Sequence, residues 1–441
     1  MSTAAKTEQN PANVSEQEKR PVVRSWRTTI VLGVLALIGL VGFGLLGPNK
    51  DATFVVSQAA DAIQIPNITV SGKLTGLLTG VLMALIAVWS YLQAKRGKKV
   101  PGWAVVVFGI LFVAAFLTWC VSMGDPGMDM PPLPLQLPNL LVLAVASSIP
   151  LIFGSLGGVM SERSGVVNIA IEGQLLGGAF SAALFGTAFG SVYVGMIAAA
   201  VAGALVSMLL VLFGLKYRVN QVIVGVVLNV LVSGLTAYLL HSVLNEGDNK
   251  DHFNSTPTLP KISIPGLSEI PLIGPALFNQ TLLAYLMYVA VFVVWFALGR
   301  TRWGLRTRAV GEHPKAADTL GVKVNSLRFV NVTIGGALAG LGGSYFTLVS
   351  VHEFKEDMTA GSGYIALAAV ILGRWNPISA ALAGLMFGFA TNLGQQVTVL
   401  QTPVPSQFFE MLPYLVTILV VAGLVGKSRG PAASGEPYVK E

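Results

Sequence analysis

The sequence has few charged residues and almost no cysteine. Asp, Glu, Lys and Arg make up 11% of its 441 residues, against about 25% in ordinary globular proteins. Such a small number of ionisable groups could not cover the surface of a soluble fold of this size, so a water-soluble protein is excluded. The single cysteine, Cys120, excludes a disulfide framework and a cysteine-based metal cluster. Four widely separated histidines give a metal-centred enzyme little support.

Apolar residues are abundant instead: 53% of the chain is hydrophobic and the mean hydropathy is +0.70. A transmembrane helix needs about 20 mostly apolar residues. Segments of this kind recur along the chain and predict an all-α fold, a polytopic transmembrane helical bundle with about 12 spans. The predicted spans are 28–46, 74–93, 102–122, 139–159, 171–190, 192–215, 220–243, 281–299, 329–351, 361–373, 377–395 and 411–426.

The basic residues are distributed as such a bundle requires, because the cytoplasmic loops of membrane proteins retain Lys and Arg. If the N-terminus is cytoplasmic, this set of spans places 23 of the 28 basic residues inside. The others are Lys50, Lys73, Lys250, Lys261 and Lys355. A wrong number of spans would scramble the alternation, so we expect an even number with both termini cytoplasmic. The net charge of +7 then reflects membrane topology and not nucleic-acid binding.

Polar and Pro-rich stretches divide the chain into regions. Residues 1–27 are predicted to be a disordered cytoplasmic tail, because they are polar and begin with no apolar run of the signal-peptide type. Residues 28–122 are predicted to be a three-span N-terminal extension. Residues 123–138 contain five prolines, cannot be helical throughout and are predicted to be a linker. The main transmembrane unit is 139–427, and 428–441 is predicted to be a second cytoplasmic tail.

One segment carries charge into a predicted span. Between Ser161 and Gln174 a charged turn leads into the membrane, where Glu172 follows the apolar Ile169-Ala170-Ile171. A charge in the middle of a bilayer costs at least about 2.5–3.5 kcal/mol, so Glu172 should face the bundle or an aqueous cavity and not lipid. Two interpretations stay open: a group that lines a transport path, or a structural clamp between helices.

The predicted spans contain amides, hydroxyls and aromatic side chains but almost no fixed charge. Any one of these groups can serve as a hydrogen bond between helices. Taken together, they favour a neutral polar solute over an ion, and a nucleoside or a sugar would satisfy that requirement. The candidates for a substrate path are Asn168, Glu172, Gln174, Asn229, Asn331, Tyr345 and Asn392.

The loop between the eighth and ninth predicted spans contains a second pattern. Pro314 suits the first turn of a helix and Gly321 suits the residue after its end, so a short helix is predicted between them. Basic residues flank it on both sides, and a compact cationic element of this kind suits docking on another protein. A plain positively charged inner loop would explain the charges but not the helix. The candidate coupling residues are Gly311, Glu312, Pro314, Ala316, Ala317 and Gly321.

These two segments carry a family resemblance. The spacing Ala316-Ala317-x-x-x-Gly321 resembles the EAA-type coupling loop of ABC-importer permeases, with Lys315 where the first Glu usually stands. The segment from Glu162 through Asn168 to Gly173 is similar to the branched-chain amino acid and simple-sugar permease family, above all its nucleoside (guanosine-type) branch. The resemblance covers about two thirds of the chain, 139–427.

The resemblance implies a permease subunit of an ATP-driven importer for nucleosides or related simple sugars. It implies four associations: an ABC ATPase subunit, a second and different permease chain, an extracytoplasmic substrate-binding lipoprotein, and a bacterial plasma (inner) membrane. The chain is then a transport subunit and not an enzyme. It needs no cofactor of its own, because ATP and Mg²⁺ bind to the ATPase. The sequence Gly426-Lys427-Ser428 is no phosphate loop, since Val421 stands where that motif has glycine.

Two other classes of function are weighed against this one. A secondary transporter driven by a proton or sodium gradient would use Glu172 as its ion-linked carboxylate. An intramembrane enzyme has little support, because the predicted spans contain no Ser/His/Asp set and no paired carboxylates.

Overall fold

The computed structural model describes residues 26–58, 61, 63–123, 133–244, 253–400, 404–419 and 430–440. Helices dominate these residues, which confirms the predicted polytopic helical bundle. In the described part of the chain, nine helices are long and apolar enough to cross a membrane. They are Arg27–Leu45, Gly72–Lys95, Gly102–Met123, Leu137–Arg163, Val192–Lys216, Gln221–Ser242, Leu282–Arg300, Val324–Ser350 and Pro377–Thr398.

The three other predicted spans differ from these nine. The segment 171–190 is a helix at Ile171–Ala188, with Glu172 and Gln174 in its first turn. The segment 361–373 is an 11-residue helix, Ser362–Leu372. Such a helix is about 16 Å long, roughly half the thickness of a bilayer core. The segment 411–426 is helical at Leu412–Leu419, and its remainder lies outside the described residues.

The first of two compact units contains the described residues up to Gly47 together with Lys73–Leu117. Its helices are α1 (Arg27–Leu37, continued by a π-helical turn at Ile38–Leu45), α2 (Gly72–Lys95) and α3 (Gly102–Met123). The end of α1 and the start of α2 are in close contact. A Cβ atom at Gly76 would lie 2.2 Å from the Phe43 carbonyl oxygen, so only glycine fits there. Most of the predicted tail 1–27 lies outside the described residues.

The second unit contains Pro48–Gly72 and the chain from Thr118 onwards. Its helices are α4 (Leu137–Arg163), α5 (Ile171–Ala188), α6 (Val192–Val211), α7 (Gln221–Leu239), α8 (Ile273–Phe278), α9 (Leu282–Arg300), α10 (Arg302–Glu312), α11 (Pro314–Thr319), α12 (Val324–Tyr345), α13 (Ser362–Leu372), α14 (Pro377–Val399), α15 (Ser406–Glu410) and α16 (Leu412–Leu419). Short π-helical turns continue α6, α7 and α12 at Leu212–Lys216, Leu240–Leu244 and Phe346–Ser350.

Short strands in the second unit form two small sheets. In the first, the strand order is β2-β1-β3, with β1 (Asp51–Val55) antiparallel to β2 (Ile68–Ser71) and parallel to β3 (Leu135–Gln136). In the second, β4 (Lys261–Ser263) is antiparallel to β5 (Asn279–Thr281). The strand β3 belongs to the segment predicted to be a Pro-rich linker, so strand pairing orders the end of that segment. Residues 124–132 of the same segment lie outside the described residues.

The core of the second unit is built around α4, whose side chains are mostly buried. Phe153 and Leu156 belong to its main apolar cluster. Small residues let neighbouring helices approach the backbone of α4. A Cβ atom at Gly157 would lie 2.4 Å from the carbonyl oxygen of Gly335 on α12. Because apolar side chains gain little from leaving lipid, such close backbone packing is what holds membrane helices together.

Gly340 provides a test of this packing. A Cβ atom there would lie 2.2 Å from the Ala199 carbonyl oxygen of α6. Because backbone cannot move aside as a flexible side chain can, Gly340→Ala is expected to destabilise the protein by about 1–3 kcal/mol. The matched control is Gly234→Ala on α7, where nothing lies within 4 Å of the added atom. Thermal unfolding of the detergent-solubilised variants measures both, and equal midpoints would contradict the assigned packing.

Candidate functional site: a polar junction of broken helices and a surface helix

A segment between α4 and α5 runs back into the bundle. The helix α4 ends at Arg163, and the chain then turns at Gly165, whose φ is +89°. Residues 166–169 belong to neither a helix nor a strand, and α5 begins at Ile171. A Cβ atom at Gly154 would lie 3.1 Å from Ile171 Cγ2. Gly154 precedes the end of α4 by about 14 Å along the helix axis. The helix α5 therefore begins inside the bundle, and we call residues 164–170 the re-entrant segment.

The short helix α13 begins at the same level. A Cβ atom at Gly154 would also lie 2.9 Å from Ala366 Cβ, in the second turn of α13. The residue before α13, Gly361, has a φ of +81°, which an L residue rarely adopts. Two helices thus start inside the bundle with their N-terminal peptide groups close together. Broken helices of this kind are where transporters place their binding sites.

Glu172 connects these two helix starts. Its Oε1 accepts hydrogen bonds from Thr359 Oγ1 at 2.6 Å and from the Gly361 amide at 2.9 Å. Its Oε2 accepts one from the Gly363 amide at 2.5 Å. A carboxylate at a helix N-terminus satisfies amides that lack a partner within the helix and is favoured by the helix dipole. The geometry is that of a clamp between helices, and the side chain is only partly buried.

We call Glu172, Asn229 and the starts of α5 and α13 the polar junction. Asn229 belongs to α7 and bonds to the start of α5. Its Oδ1 accepts a hydrogen bond from the Gly173 amide at 2.8 Å, and its Nδ2 donates to the Ile169 carbonyl at 2.9 Å. The same Nδ2 lies 3.2 Å from the hydroxyl oxygen of Tyr364, a residue that is 50% exposed. Sequence reasoning missed Tyr364 and Thr359. The signal that could have found them is the unusual shortness of the span at 361–373, which marks a broken helix.

Asn168 and Gln174 are fully buried and bond to each other. Asn168 Nδ2 donates to Gln174 Oε1 at 3.2 Å, and Gln174 Nε2 donates to Asn168 Oδ1 at 3.1 Å. Gln174 Nε2 also donates to Ser207 Oγ of α6 at 2.9 Å. These amides therefore fix the re-entrant segment against α5 and α6, and most of their hydrogen-bonding capacity is used inside the protein.

The remaining path candidates share no described hydrogen bond with Glu172. Asn331 donates from Nδ2 to the Leu327 carbonyl at 2.7 Å and to Thr307 Oγ1 of α10 at 3.3 Å. Tyr345 packs edge-on against Phe346, with ring centroids 5.6 Å apart. Asn392 on α14 is buried, and its Oδ1 has no hydrogen-bond partner among the described residues. The structure thus brings only part of the predicted set to the junction, and their role in transport stays a prediction.

The short helix predicted between Pro314 and Gly321 is confirmed as α11, Pro314–Thr319. Pro314 occupies its first turn, and Gly321 follows it with a φ of +81°. Of the two alanines, Ala317 is buried in a small apolar cluster and Ala316 is exposed. Leu320, directly after the helix, is 84% exposed. A large apolar side chain held out on a rigid turn is suited to a pocket on another protein.

The helix that precedes α11 in the chain, α10, is in direct contact with the end of α4. A Cβ atom at Gly311 would lie 2.2 Å from the Arg163 carbonyl oxygen, so α10 ends against the backbone of α4. Arg163 Nε donates to the Trp375 carbonyl at 2.9 Å, and Trp375 Nε1 donates to Glu162 Oε2 at 2.5 Å. Glu312, the last residue of α10, accepts a hydrogen bond at Oε2 from the Ala432 amide. The end of α10, which leads into α11, therefore packs against the residues from which the re-entrant segment starts.

Broken helices that meet inside a multi-pass helical bundle are typical of transporters. The chain belongs to the family described as branched-chain amino acid transport system / permease component, whose sequence profile matches residues 140–421. Within the described ranges, no group of three or more His, Cys, Asp or Glu side chains is placed to hold a metal ion.

The chain is similar to three permease proteins over most of their own length. The guanosine ABC transporter permease protein NupQ of Bacillus subtilis is 38% identical over 66% of this chain and 93% of its own. The nucleoside ABC transporter permease protein NupC of Lactococcus lactis is 39% identical over 68% and 98%. The putative glucose ABC transporter permease protein TsgC13 of Haloferax volcanii is 31% identical over 69% and 98%. No solved structure matches the chain.

Proposed function

We propose that this protein is the membrane-spanning permease subunit of an ATP-driven ABC importer for nucleosides. The observation that carries the proposal is the similarity to the guanosine and nucleoside permeases over nearly their whole length. The third relative, a putative glucose permease, is less similar and makes a simple sugar the second candidate. The gradient-driven alternative has no such support.

The chemistry of the junction agrees with a neutral polar substrate. The carboxylate of Glu172 accepts hydrogen bonds from one hydroxyl and two peptide amides, which leaves few of its lone pairs free to coordinate a cation. The hydroxyl and ring of the half-exposed Tyr364 remain beside it, whereas the amide of Asn229 is engaged by Gly173, Ile169 and Tyr364. A nucleoside combines hydroxyl groups with an aromatic base, so it can both hydrogen-bond and stack at such a surface.

Energy for transport would come from a separate ABC ATPase subunit, to which ATP and Mg²⁺ bind. We propose that α11 is the coupling helix and that Leu320 is its docking residue. The predicted coupling residues surround this element, and Gly311, which lies against the Arg163 carbonyl, would pass its movement to α4. Closure of the ATPase domains would then tilt α4 and shift the re-entrant segment, so that the junction opens to alternate sides of the membrane.

The remaining parts of the system are proposed on the same basis. A second, different permease chain would complete the path, and an extracytoplasmic substrate-binding lipoprotein would deliver the nucleoside. The multi-pass chain would lie in a bacterial plasma (inner) membrane with both termini and α11 on the cytoplasmic side. This orientation places the basic residues around α10 and α11 inside, as the charge rule requires.

Uptake of radiolabelled guanosine by cells that carry the complete system tests the energy source. Because ATP hydrolysis drives the cycle, uptake is expected to survive a protonophore and to stop when ATP is depleted. A gradient-driven transporter would lose uptake with the protonophore and keep it when ATP is depleted, and that result would contradict the proposal. Competition separates the two substrate classes in the same assay. Excess unlabelled nucleoside is expected to abolish uptake and excess glucose to leave it unchanged.

A further inference from the structure

The C-terminal segment 430–440, predicted to be a plain tail, packs against the coupling region. The Ala433 amide donates to the Gly311 carbonyl at 2.9 Å, at the end of α10. The Gly435 amide donates to the Gly165 carbonyl at 3.2 Å, at the start of the re-entrant segment. We call residues 430–440 the C-terminal clasp, because it bonds to both elements at once. Ala433 is itself buried in this contact.

Arg328 of α12 donates a hydrogen bond to the clasp. It is the largest fully buried side chain of the described residues, with 0% of its surface exposed. Its Nε donates to the Ser164 carbonyl at 3.1 Å and its Nη1 to the Glu436 carbonyl at 2.7 Å. Burying a charged group is costly unless it is hydrogen-bonded, so Arg328 depends on the clasp for one of its acceptors. One guanidinium thereby fastens the clasp, α12 and the re-entrant segment together.

The clasp also completes the packing of the coupling helix. Tyr438 packs against the small cluster of Val310, Ala317 and Val324, which holds α11 against α10 and α12. Lys440 Nζ lies 3.7 Å from Asp318 Oδ1, a surface ion pair that adds little by itself. A helix of only six residues is not stable alone. Its rigidity must come from this cluster, and Tyr438 is the member that the clasp supplies.

We infer that the C-terminal clasp is a transmission element that makes the coupling helix and the re-entrant segment move as one body. This inference rests on the proposed function, because it assigns the clasp a place in ATP-driven transport. Force applied to α11 reaches Glu172 by two routes, through Gly311 to α4 and through the clasp and Arg328 to Ser164. Without the clasp, only the route through Gly311 and α4 would remain, and movement of α11 would reach the re-entrant segment less completely.

The test uses the complete transporter in proteoliposomes and measures nucleoside uptake and ATP hydrolysis together. The variants are truncation after Arg429, Tyr438→Ala and Arg328→Lys, and the control is Val439→Ala at an exposed position of the clasp. Coupling between sites is typically worth fivefold or more, so uptake per ATP hydrolysed is expected to fall at least about fivefold in the first three and to stay unchanged in the control. An unchanged ratio in the truncated and Tyr438→Ala proteins overturns the inference.

A second reading of the variants and one further measurement keep the result decisive. If the truncated chain or Arg328→Lys fails to insert, Tyr438→Ala decides alone, because it removes a single surface-accessible contact. In a Cys120→Ala background, the substitutions Asp318→Cys and Lys440→Cys introduce two thiols, which a short bismaleimide linker then joins. Uptake is expected to persist after linking, and its loss would show that the clasp must open and would overturn the inference. A wild-type complex without ATP-dependent uptake would refute the proposed function instead, so the two failures are distinguishable.

Discussion

Replacing Leu320 by Asp is expected to abolish ATP-driven uptake by preventing the ATPase from docking. Leu320 is 84% exposed at the end of a six-residue helix that is held in place by packing. Burying a leucine side chain in a partner's pocket is worth about 1.5–3 kcal/mol, and a carboxylate in the same place adds a desolvation cost. Together they weaken binding by more than about tenfold, since 1.4 kcal/mol corresponds to one factor of ten.

The affinity of the detergent-solubilised permease for its ATPase measures this effect directly, and uptake in proteoliposomes measures its consequence. Leu267→Asp is the matched control, because Leu267 is also an exposed leucine but lies in a turn remote in sequence from the coupling helix. It should bind the ATPase normally. If Leu320→Asp also binds normally, the docking residue lies elsewhere and α11 loses its assigned role.

Local sequence patterns predicted the structural elements that depend mainly on neighbouring residues in the chain. Apolar runs predicted the long spans, because the energy of a helix in lipid follows from its composition. The helix α11 was predicted from two punctuating residues, Pro314 and Gly321, whose backbone preferences act within one turn. Hydropathy contains no information on depth, so it could not show that α5 and α13 begin inside the bundle.

The partners of the polar residues could not be predicted, because the contacts are tertiary. Glu172 bonds to Thr359, a residue 187 positions further along the chain. The sequence alone therefore could not separate the two interpretations of Glu172. The clasp was missed for a different reason. Most of its bonds use backbone amides and carbonyls, which every sequence carries, so a polar segment gives no sign that it will dock.

Glu172→Leu is expected to reduce uptake per inserted molecule by more than about tenfold. Leaving a buried donor without its acceptor costs about 1–3 kcal/mol, and this substitution removes the acceptor of three donors. Those donors are Thr359 Oγ1 and the amides of Gly361 and Gly363. Without the carboxylate, the start of α13 is no longer fixed to the start of α5. Quantified membrane insertion and the uptake rate together give the result, and thermal unfolding should show a lower midpoint.

Glu172→Gln separates the clamp from an ion-linked carboxylate. The glutamine keeps one acceptor oxygen for Thr359 and Gly361 but turns an amino group towards the Gly363 amide, so one of three hydrogen bonds is lost. A clamp therefore predicts a smaller loss of uptake and of stability than in Glu172→Leu. It also predicts that adding Thr359→Val costs less in Glu172→Leu, which has already lost the hydrogen bond to Thr359, than in the wild type, since contacting residues are not additive. An ion-linked carboxylate predicts full loss of uptake in Glu172→Gln with unchanged stability. Additive effects of the substitutions at Glu172 and Thr359 would also contradict the clamp.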